Sequence, residues 1–156
     1  MIKSEISLHI NGEVRQVYVR NAETLLHTLR EQLGLTGAKP GCLNGDCGAC
    51  TVDINGEPIK SCLMLSVEAV DQKITTVEGL HDVPIQKEFI ERFAFQCGYC
   101  TPGFIMNCNA LINKYPNADS TKIKDWLESN ICRCTGYAEI EEAIKAVLKL
   151  NQQGLS

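Results

Sequence analysis

The spacing of nine cysteines constrains the fold of this 156-residue chain more than any other feature of its sequence. Three of them lie within the segment GCLNGDCGAC at 41–50, together with three glycines. Such a loop can serve a disulfide, a zinc site or a larger metal centre that needs several thiolates. An odd number of cysteines fits poorly with a fully paired disulfide set, and a chain of this length can bury a core without cross-links.

The composition is that of an ordinary globular protein, with 44% hydrophobic and 22% charged residues. The formal net charge of −4 argues against nucleic-acid binding, which usually needs a basic surface. No apolar run approaches the roughly 18 residues of a membrane span, and the N-terminus lacks the apolar segment of a signal peptide. We therefore expect a cytoplasmic protein, whose thiols stay reduced and favour metal binding or redox chemistry over disulfides.

The first half of the chain is predicted to form a small α+β domain over residues 1–78. Alternating apolar residues flank two Asn-Gly pairs, at 11–12 and 55–56, and this dipeptide is the strongest short signal for a β-hairpin. Asn21 is expected to cap an intervening helix, and a last strand is expected over 73–77. The leucines of that helix and the glycine that ends it are Leu25, Leu26, Leu29, Leu33 and Gly34.

The second half is predicted to be an all-α four-helix bundle over residues 84–156, after a linker over 79–83. Thr101 is expected to be the N-cap of the second helix, with Pro102 at its first position, and Ser120 the N-cap of the third. Each helix has an apolar stripe at helical spacing. The residues expected to face the core are Ile85, Phe89, Ile90, Phe93, Ile123, Trp126, Leu127, Ile140, Ala143, Ile144, Val147 and Leu148.

A first set of four cysteines has the spacing C-x4-C-x2-C-x11-C. Its first three members reproduce the plant-type ferredoxin spacing for a [2Fe–2S] cluster, with the fourth supplied from further along the chain. Gly41, Gly45 and Gly48 allow the tight turns that wrap a cluster, and free backbone amides to point at its sulfurs. Structural zinc usually takes two closely spaced pairs, so we favour iron–sulfur over zinc. The members of the first set are Cys42, Cys47, Cys50 and Cys62.

A second set combines a C-x2-C pair with a later C-x-C pair, each at a junction between predicted helices. Antiparallel helices can bring both junctions to one end of the bundle, where helix N-termini favour an anionic centre. Zinc and [2Fe–2S] both remain open on spacing alone, because C-x-C is unusual for either. The first set favours the cluster, since a second electron carrier makes sense beside a first. The members of the second set are Cys97, Cys100, Cys132 and Cys134.

The remaining cysteine, Cys108, lies in an apolar helical segment and is expected to be a buried, unreactive thiol. Arg133, between two cysteines of the second set, is expected either to offset cluster charge or to face solvent or a partner. The residues alone give Gln96 no special role. The three histidines lack a paired acid and are expected to be surface or packing residues, not ligands: His9, His27 and His81.

Four motifs in this order resemble the small iron–sulfur subunit of the molybdenum hydroxylases, the xanthine dehydrogenase family. They are GCLNGDCGACTV at 41–52, Ser61-Cys62, QCGYCTPG at 96–103 and NICRCTGY at 130–137. The resemblance spans roughly residues 5–150 and includes all eight expected cluster ligands. It implies a β-grasp ferredoxin-like domain followed by a four-helix-bundle [2Fe–2S]-binding domain, which agrees with the predicted elements.

The resemblance also implies cofactors and partners. The second set would bind a [2Fe–2S] cluster close to a molybdopterin cofactor on a large subunit, and the first set a cluster close to FAD on a medium subunit. Gln96 and Cys134 match residues that approach the pterin in relatives. The implied assembly is a heterotrimer that can dimerise.

We therefore expect an electron-transfer subunit of a molybdopterin-dependent hydroxylase, which passes electrons from molybdenum to FAD and turns over no substrate alone. Family frequency favours xanthine or another purine as the substrate of the complex. The alternatives are a carbon monoxide, nicotinate, aldehyde or 4-hydroxybenzoyl-CoA enzyme. A free-standing [2Fe–2S] carrier and a zinc-binding structural protein are the less favoured hypotheses.

Overall fold

A five-stranded mixed sheet occupies the first half of the chain in the computed structural model, which describes residues 3–154. Its strands are β1 (Ser4–Ile10), β2 (Glu13–Val19), β3 (Thr51–Ile54), β4 (Glu57–Lys60) and β5 (Lys73–Thr75). The strand order is β2-β1-β5-β3-β4, with β1 parallel to β5 and the other neighbours antiparallel. The predicted α+β, ferredoxin-like fold is confirmed. Residues 1–2 and 155–156, which the two predicted domains include, lie outside the described residues.

Both predicted hairpins are present, and left-handed backbone at each Asn-Gly pair forms their turns. The φ angles are 52° at Asn11 and 85° at Gly12, and 55° at Asn55 and 90° at Gly56. Two successive positive φ angles give a turn whose twist matches that of the flanking strands, which is why Asn-Gly is favoured there. Each hairpin is paired along the full length of its strands.

The helix of the first half begins later than predicted. It consists of α1 (Leu25–His27), continued by a π-helix over Thr28–Gln32. Its N-cap is Thr24 and not Asn21, because the Thr24 backbone is extended and its hydroxyl accepts the amide hydrogen of His27 at 3.4 Å. The predicted N-cap is therefore wrong by three positions, although Leu25, Leu26 and Leu29 are buried as expected and Leu33 is partly buried.

Two other element ends can be compared with the prediction. Gly34 has a φ of +69° just beyond the π-helix, in agreement with its predicted role as the end of the helix. The last strand is shorter than predicted, since β5 ends at Thr75 and the chain enters a 3₁₀ turn over Val77–Gly79. The Gly79 amide closes this turn on the Thr76 carbonyl at 2.9 Å.

Four helices follow in the second half: α2 (Pro84–Glu91), α3 (Thr101–Lys114), α4 (Ser120–Leu127) and α5 (Ala138–Gln152). They enclose a core of their own, separate from the core of the sheet. The last helix buries all five residues predicted for it, whereas Trp126 in α4 is only partly buried. Within residues 3–154, the chain has no helix that combines the length and the apolar character needed to cross a membrane.

Both predicted N-caps in this half are wrong by one residue. Helix α3 begins at Thr101, so the cap position is Cys100 and not Thr101, and the Cys100 side chain makes no capping hydrogen bond. The cap of α4 is Asp119 and not Ser120, since the Asp119 carboxylate accepts the amide hydrogen of Lys122 at 2.8 Å.

The predicted apolar stripe of α2 is only half correct. Ile85 and Phe89 are 1% exposed, whereas Ile90 is 65% exposed and Phe93 is 79% exposed. The helix ends at Glu91 and Phe93 has a φ of 52°, so helical spacing no longer applies there. The two exposed apolar side chains therefore form part of the surface and not of the core.

The sheet and the bundle meet where α3 lies against β3 and the loop before it. A glycine at the start of α3 allows this approach, because a Cβ atom on Gly103 would lie 2.3 Å from the Gly48 carbonyl oxygen. It would also lie 3.0 Å from the Ala49 Cα atom. Backbone packs directly on backbone at this point.

Candidate metal centres

The four thiols of the first set converge beside the sheet as two contacting pairs. Cys42 contacts Cys47, Cys50 contacts Cys62, and Cys47 lies within electrostatic range of Cys50. The hairpin β3–β4 returns the chain to this point, and Ser61 fixes its position. The Ser61 hydroxyl and amide both donate to the Cys50 carbonyl, at 2.7 Å and 3.3 Å.

The second set assembles from the two helix junctions, which meet at one end of the bundle as expected. Cys97 and Cys100 precede α3, whereas Cys132 and Cys134 lie between α4 and α5. Cys100 contacts Cys132, and Cys97 contacts Cys134. The Tyr137 hydroxyl accepts the Cys132 amide hydrogen at 2.8 Å, which holds the second junction in place before α5 begins.

The pairwise approach of the thiols bears on which metal centre they fit. A zinc ion needs four donors around one point, with zinc–sulfur distances of about 2.3 Å. A [2Fe–2S] cluster instead divides four thiolates between two irons. Two contacting pairs in each set suit the cluster better than the single ion.

The surroundings of the thiols also fit a cluster. A Cβ atom on Gly41 would lie 2.5 Å from the Cys47 sulfur, so only glycine leaves the space beside that thiol open. The Cys47 amide donates to the Cys42 sulfur at 3.2 Å, and the Thr135 amide donates to the Cys132 sulfur at 3.3 Å. Donors of this kind stabilise thiolates and cluster sulfides.

The hydroxyl of Thr135 lies beside the Cys132 sulfur. Burial of Cys132 opposes ionisation, but hydrogen bonds from the Thr135 hydroxyl and amide lower the pKa of the Cys132 thiol. Such donors stabilise the thiolate form that binds iron. The donor set and its surroundings therefore fit a [2Fe–2S] cluster.

The thiols within each set differ in acidity. Amide hydrogen bonds from Cys47 and Asn44 lower the pKa of the Cys42 thiol to about 7. Burial raises the pKa of Cys50 to about 11 and that of Cys100 to about 12. Near neutral pH the metal-free chain therefore keeps protons on its buried thiols, and these protons leave when thiolates bind metal.

In the metal-free chain, we expect iodoacetamide to alkylate Cys42 well before Cys50. The thiolate is the reactive form, so the Cys42 rate should be half-maximal near a pH of about 7 and fall about tenfold per pH unit below it. Cys50 should stay unlabelled until the pH approaches about 11. Peptide mass spectrometry after short exposures measures both rates, with the urea-unfolded chain as control. A Cys42 midpoint at the unperturbed value of about 8.5 would contradict this expectation.

The other residues singled out in the sequence lie as follows. Cys108 is fully buried in α3, where burial raises the pKa of its thiol, so its predicted place in the core is confirmed. Gln96, Arg133 and Cys134 are all exposed. The three histidines are exposed as well, in agreement with their predicted place on the surface: His9, His27 and His81.

Sequence reasoning missed the residues that join the two sets. Tyr99, Asn130 and Ile131 each hydrogen-bond to the loop that carries the first set. All three lie in the motifs at 96–103 and 130–137, next to cysteines of the second set or one residue away, but the sequence indicated no role of their own for them. Their partners are backbone carbonyls far away in the sequence, so no local pattern indicates these contacts.

Comparison with known proteins finds two family matches, and each of them includes one of the two cysteine sets. Residues 20–95 match the family described as 2Fe-2S iron-sulfur cluster binding domain, and residues 76–145 match the [2Fe-2S] binding domain. The nicotinate dehydrogenase small FeS subunit of Eubacterium barkeri is 43% identical over 149 residues, which cover 93% of this chain and 95% of that protein.

Two further similarities extend this comparison. The aldehyde oxidoreductase iron-sulfur-binding subunit PaoA of Escherichia coli strain K12 is 40% identical over 159 residues, covering 90% of this chain and 69% of that protein. Among solved structures, quinoline 2-oxidoreductase from Pseudomonas putida 86 has a TM-score of 0.92 at 38% identity, with 100% of both chains covered.

Proposed function

Because this chain belongs to the family of small iron–sulfur subunits of the molybdenum hydroxylases, we propose that it carries electrons from a molybdenum cofactor to FAD, both held by partner chains. As a member of this family it is an electron-transfer subunit of an oxidoreductase complex, without substrate turnover of its own. When bound, a [2Fe–2S] cluster accepts and releases single electrons. The observation that carries the proposal is the gathering of eight cysteines into two four-thiol sets within one chain.

We assign the second set to the molybdenum side of this route and the first set to the FAD side. Gln96 and Cys134 are proposed to approach the pterin. Two observations support this assignment: both residues are exposed, and Cys134 contacts Cys97, the chain neighbour of Gln96. Both residues therefore lie at the outer surface of the second set, where a partner-bound cofactor has access to them.

The proposed partners are a large molybdopterin-binding subunit and a medium FAD-binding subunit, in a heterotrimer that can dimerise. Large exposed apolar side chains close in sequence to cysteines of both sets support this, because exposed apolar surface is typical of interaction sites. They are Leu43 and Leu63 for the first set, and Phe93, Phe95 and Ile131 for the second. We keep the division into residues 1–78, 79–83 and 84–156, and the cytoplasm as the compartment, as parts of this proposal.

For the complex we propose a nitrogen heteroaromatic or aldehyde substrate. The similar proteins described above are named for nicotinate, quinoline and an aldehyde, so the preference for xanthine or another purine is widened to this larger class. In the proposed assembly the substrate lies on the large subunit, and this chain contributes to electron removal, not to substrate choice.

The complex purified from its native source tests the proposed function. We expect about four irons per copy of this chain and two distinguishable [2Fe–2S] signals by EPR after reduction. We also expect co-elution with two larger chains that contain molybdopterin and FAD. Zinc without acid-labile sulfide would instead support a structural metal protein. A stable monomer loaded with clusters would support a free-standing carrier.

A further inference from the structure

Residues beside the cysteines of the second set form hydrogen bonds with the loop of the first set at two places. On one side, Tyr99 donates its hydroxyl hydrogen to the Pro40 carbonyl at 3.0 Å, and the Lys39 ammonium lies 5.9 Å from the centre of its ring. On the other side, the Ile131 amide donates to the Cys47 carbonyl at 2.9 Å. Tyr99 lies between two cysteines of the second set, and Ile131 immediately precedes another.

Asn130 makes the most deeply buried of these contacts. Its side chain belongs to a residue that is only 3% exposed, and its Nδ2 atom donates to the Gly48 carbonyl at 3.0 Å. The Ser129 hydroxyl donates to its Oδ1 atom at 2.8 Å and accepts from Asn107 at 2.9 Å. The Asn130 side chain is therefore held at both ends, and its Nδ2 atom shares the Gly48 carbonyl with the Thr51 hydroxyl, which donates to the same oxygen at 2.6 Å.

The sheet and the bundle are closely packed around Gly48. A Cβ atom on Gly48 would lie 2.5 Å from Asn130 Nδ2, and a Cβ atom on Gly103 would lie 2.3 Å from the Gly48 carbonyl oxygen. Close packing of this kind transmits small displacements directly from one segment to the next. The position of the first loop is thus set by groups that belong to the bundle.

The segment that contains Asn130 also connects the two sets through a backbone hydrogen bond. Cys47 is a member of the first set, and its carbonyl accepts the hydrogen bond from Ile131, the residue before Cys132. One hydrogen bond therefore completes a backbone path from a thiol of one set to a thiol of the other.

We propose that Asn130 is a positioning residue which, with the Ile131 amide, fixes the separation and the electronic coupling of the two cluster sites. This inference rests on the proposed function. The step that it serves is the exchange of one electron, in which one site is oxidised, the other is reduced, and no bond or proton is transferred. Such a step depends on a fixed geometry between donor and acceptor, and a buried amide held at both ends supplies that geometry.

The test is Asn130→Ala in the intact complex, read by low-temperature EPR of the fully reduced protein. In the wild-type complex, the two paramagnetic clusters are expected to split each other's signals. In the variant this splitting is expected to be lost or broadened, while the iron content stays at about four per chain. A matched control is Lys114→Gln, which removes an ion pair of 2.6 Å to Glu57 at the other end of α3 and should leave the splitting unchanged.

The outcomes separate this inference from the proposed function. An unchanged splitting in a fully loaded Asn130→Ala complex overturns the inference alone, whereas a wild-type chain without two clusters overturns the proposed function. If the alanine variant does not accumulate, Asn130→Ser is measured instead, because serine keeps a polar side chain at this position while removing the amide that reaches the Gly48 carbonyl. A broadened splitting supports the inference, and a spectrum identical to that of the wild type overturns it.

Discussion

Cys62→Ser is expected to remove one of the two EPR signals and to lower the iron content from about four to about two per chain. Serine lacks the soft thiolate that holds iron in such clusters. Cys62 is buried in contact with Cys50, and Ser61 beside it donates to the Cys50 carbonyl, so any replacement ligand would have to enter a buried position. Iron and acid-labile sulfide analysis together with EPR of the reduced complex measure the loss.

The matched control is Cys108→Ala, which alters a cysteine outside both sets. Cys108 is fully buried in α3, so its truncation should cost about 1 kcal/mol of stability, similar to the loss of one buried methyl group. Both EPR signals and the full iron content should remain. Retention of all iron by Cys62→Ser, or loss of a cluster in Cys108→Ala, would contradict the assigned ligand sets.

Gly103→Ala is expected to have the second large effect, by forcing the bundle away from the sheet. The added methyl group would lie 2.3 Å from the Gly48 carbonyl oxygen and 3.0 Å from the Ala49 Cα atom, and both neighbours are backbone. Backbone cannot move aside as a side chain can, so we expect a loss of roughly 1–3 kcal/mol in the free energy of unfolding. Urea unfolding followed by circular dichroism measures it.

Gly136→Ala provides the comparison for this substitution. A Cβ atom at Gly136 meets nothing within 4 Å, and the residue has no positive φ angle. Its replacement should change the unfolding free energy by no more than about 1 kcal/mol, and in the stabilising direction, because alanine restricts the unfolded chain. Equal losses in the two variants would show that close backbone packing at Gly103 is not the cause.

Local signals predicted most of the fold. The two Asn-Gly turns identified both hairpins because the backbone conformation that they require is rare for other residues. Amphipathic spacing identified the bundle helices, since each packs one face on a common core. The N-caps were less predictable, because Asn21 and Thr24 are both good capping residues and tertiary contacts decide between them. Thr24 is held extended by a bridge to Leu65, which no local pattern shows.

For the site, the grouping within each cysteine set was predictable from the sequence, whereas the contacts between the two sets were not. Cysteine spacing predicted the members of each set, because cysteines a few residues apart in a tight loop or at a helix junction lie close together. The contacts between the sets were not predictable, since Asn130 meets Gly48 across 82 positions. A buried asparagine before a cysteine has many uses, and only the packed structure shows which carbonyl it serves.

The parallel pairing of β1 with β5 has a consequence for the order of events during synthesis. β1 lies between β2 and β5 in the sheet, so its second edge stays open until residues 73–75 have left the ribosome. All four cysteines of the first set are made before that strand exists. Closure of the sheet is thus a long-range and comparatively slow event, during which an unpaired edge and several thiols are accessible together. The strand that closes the sheet therefore follows the last ligand of the first set along the chain.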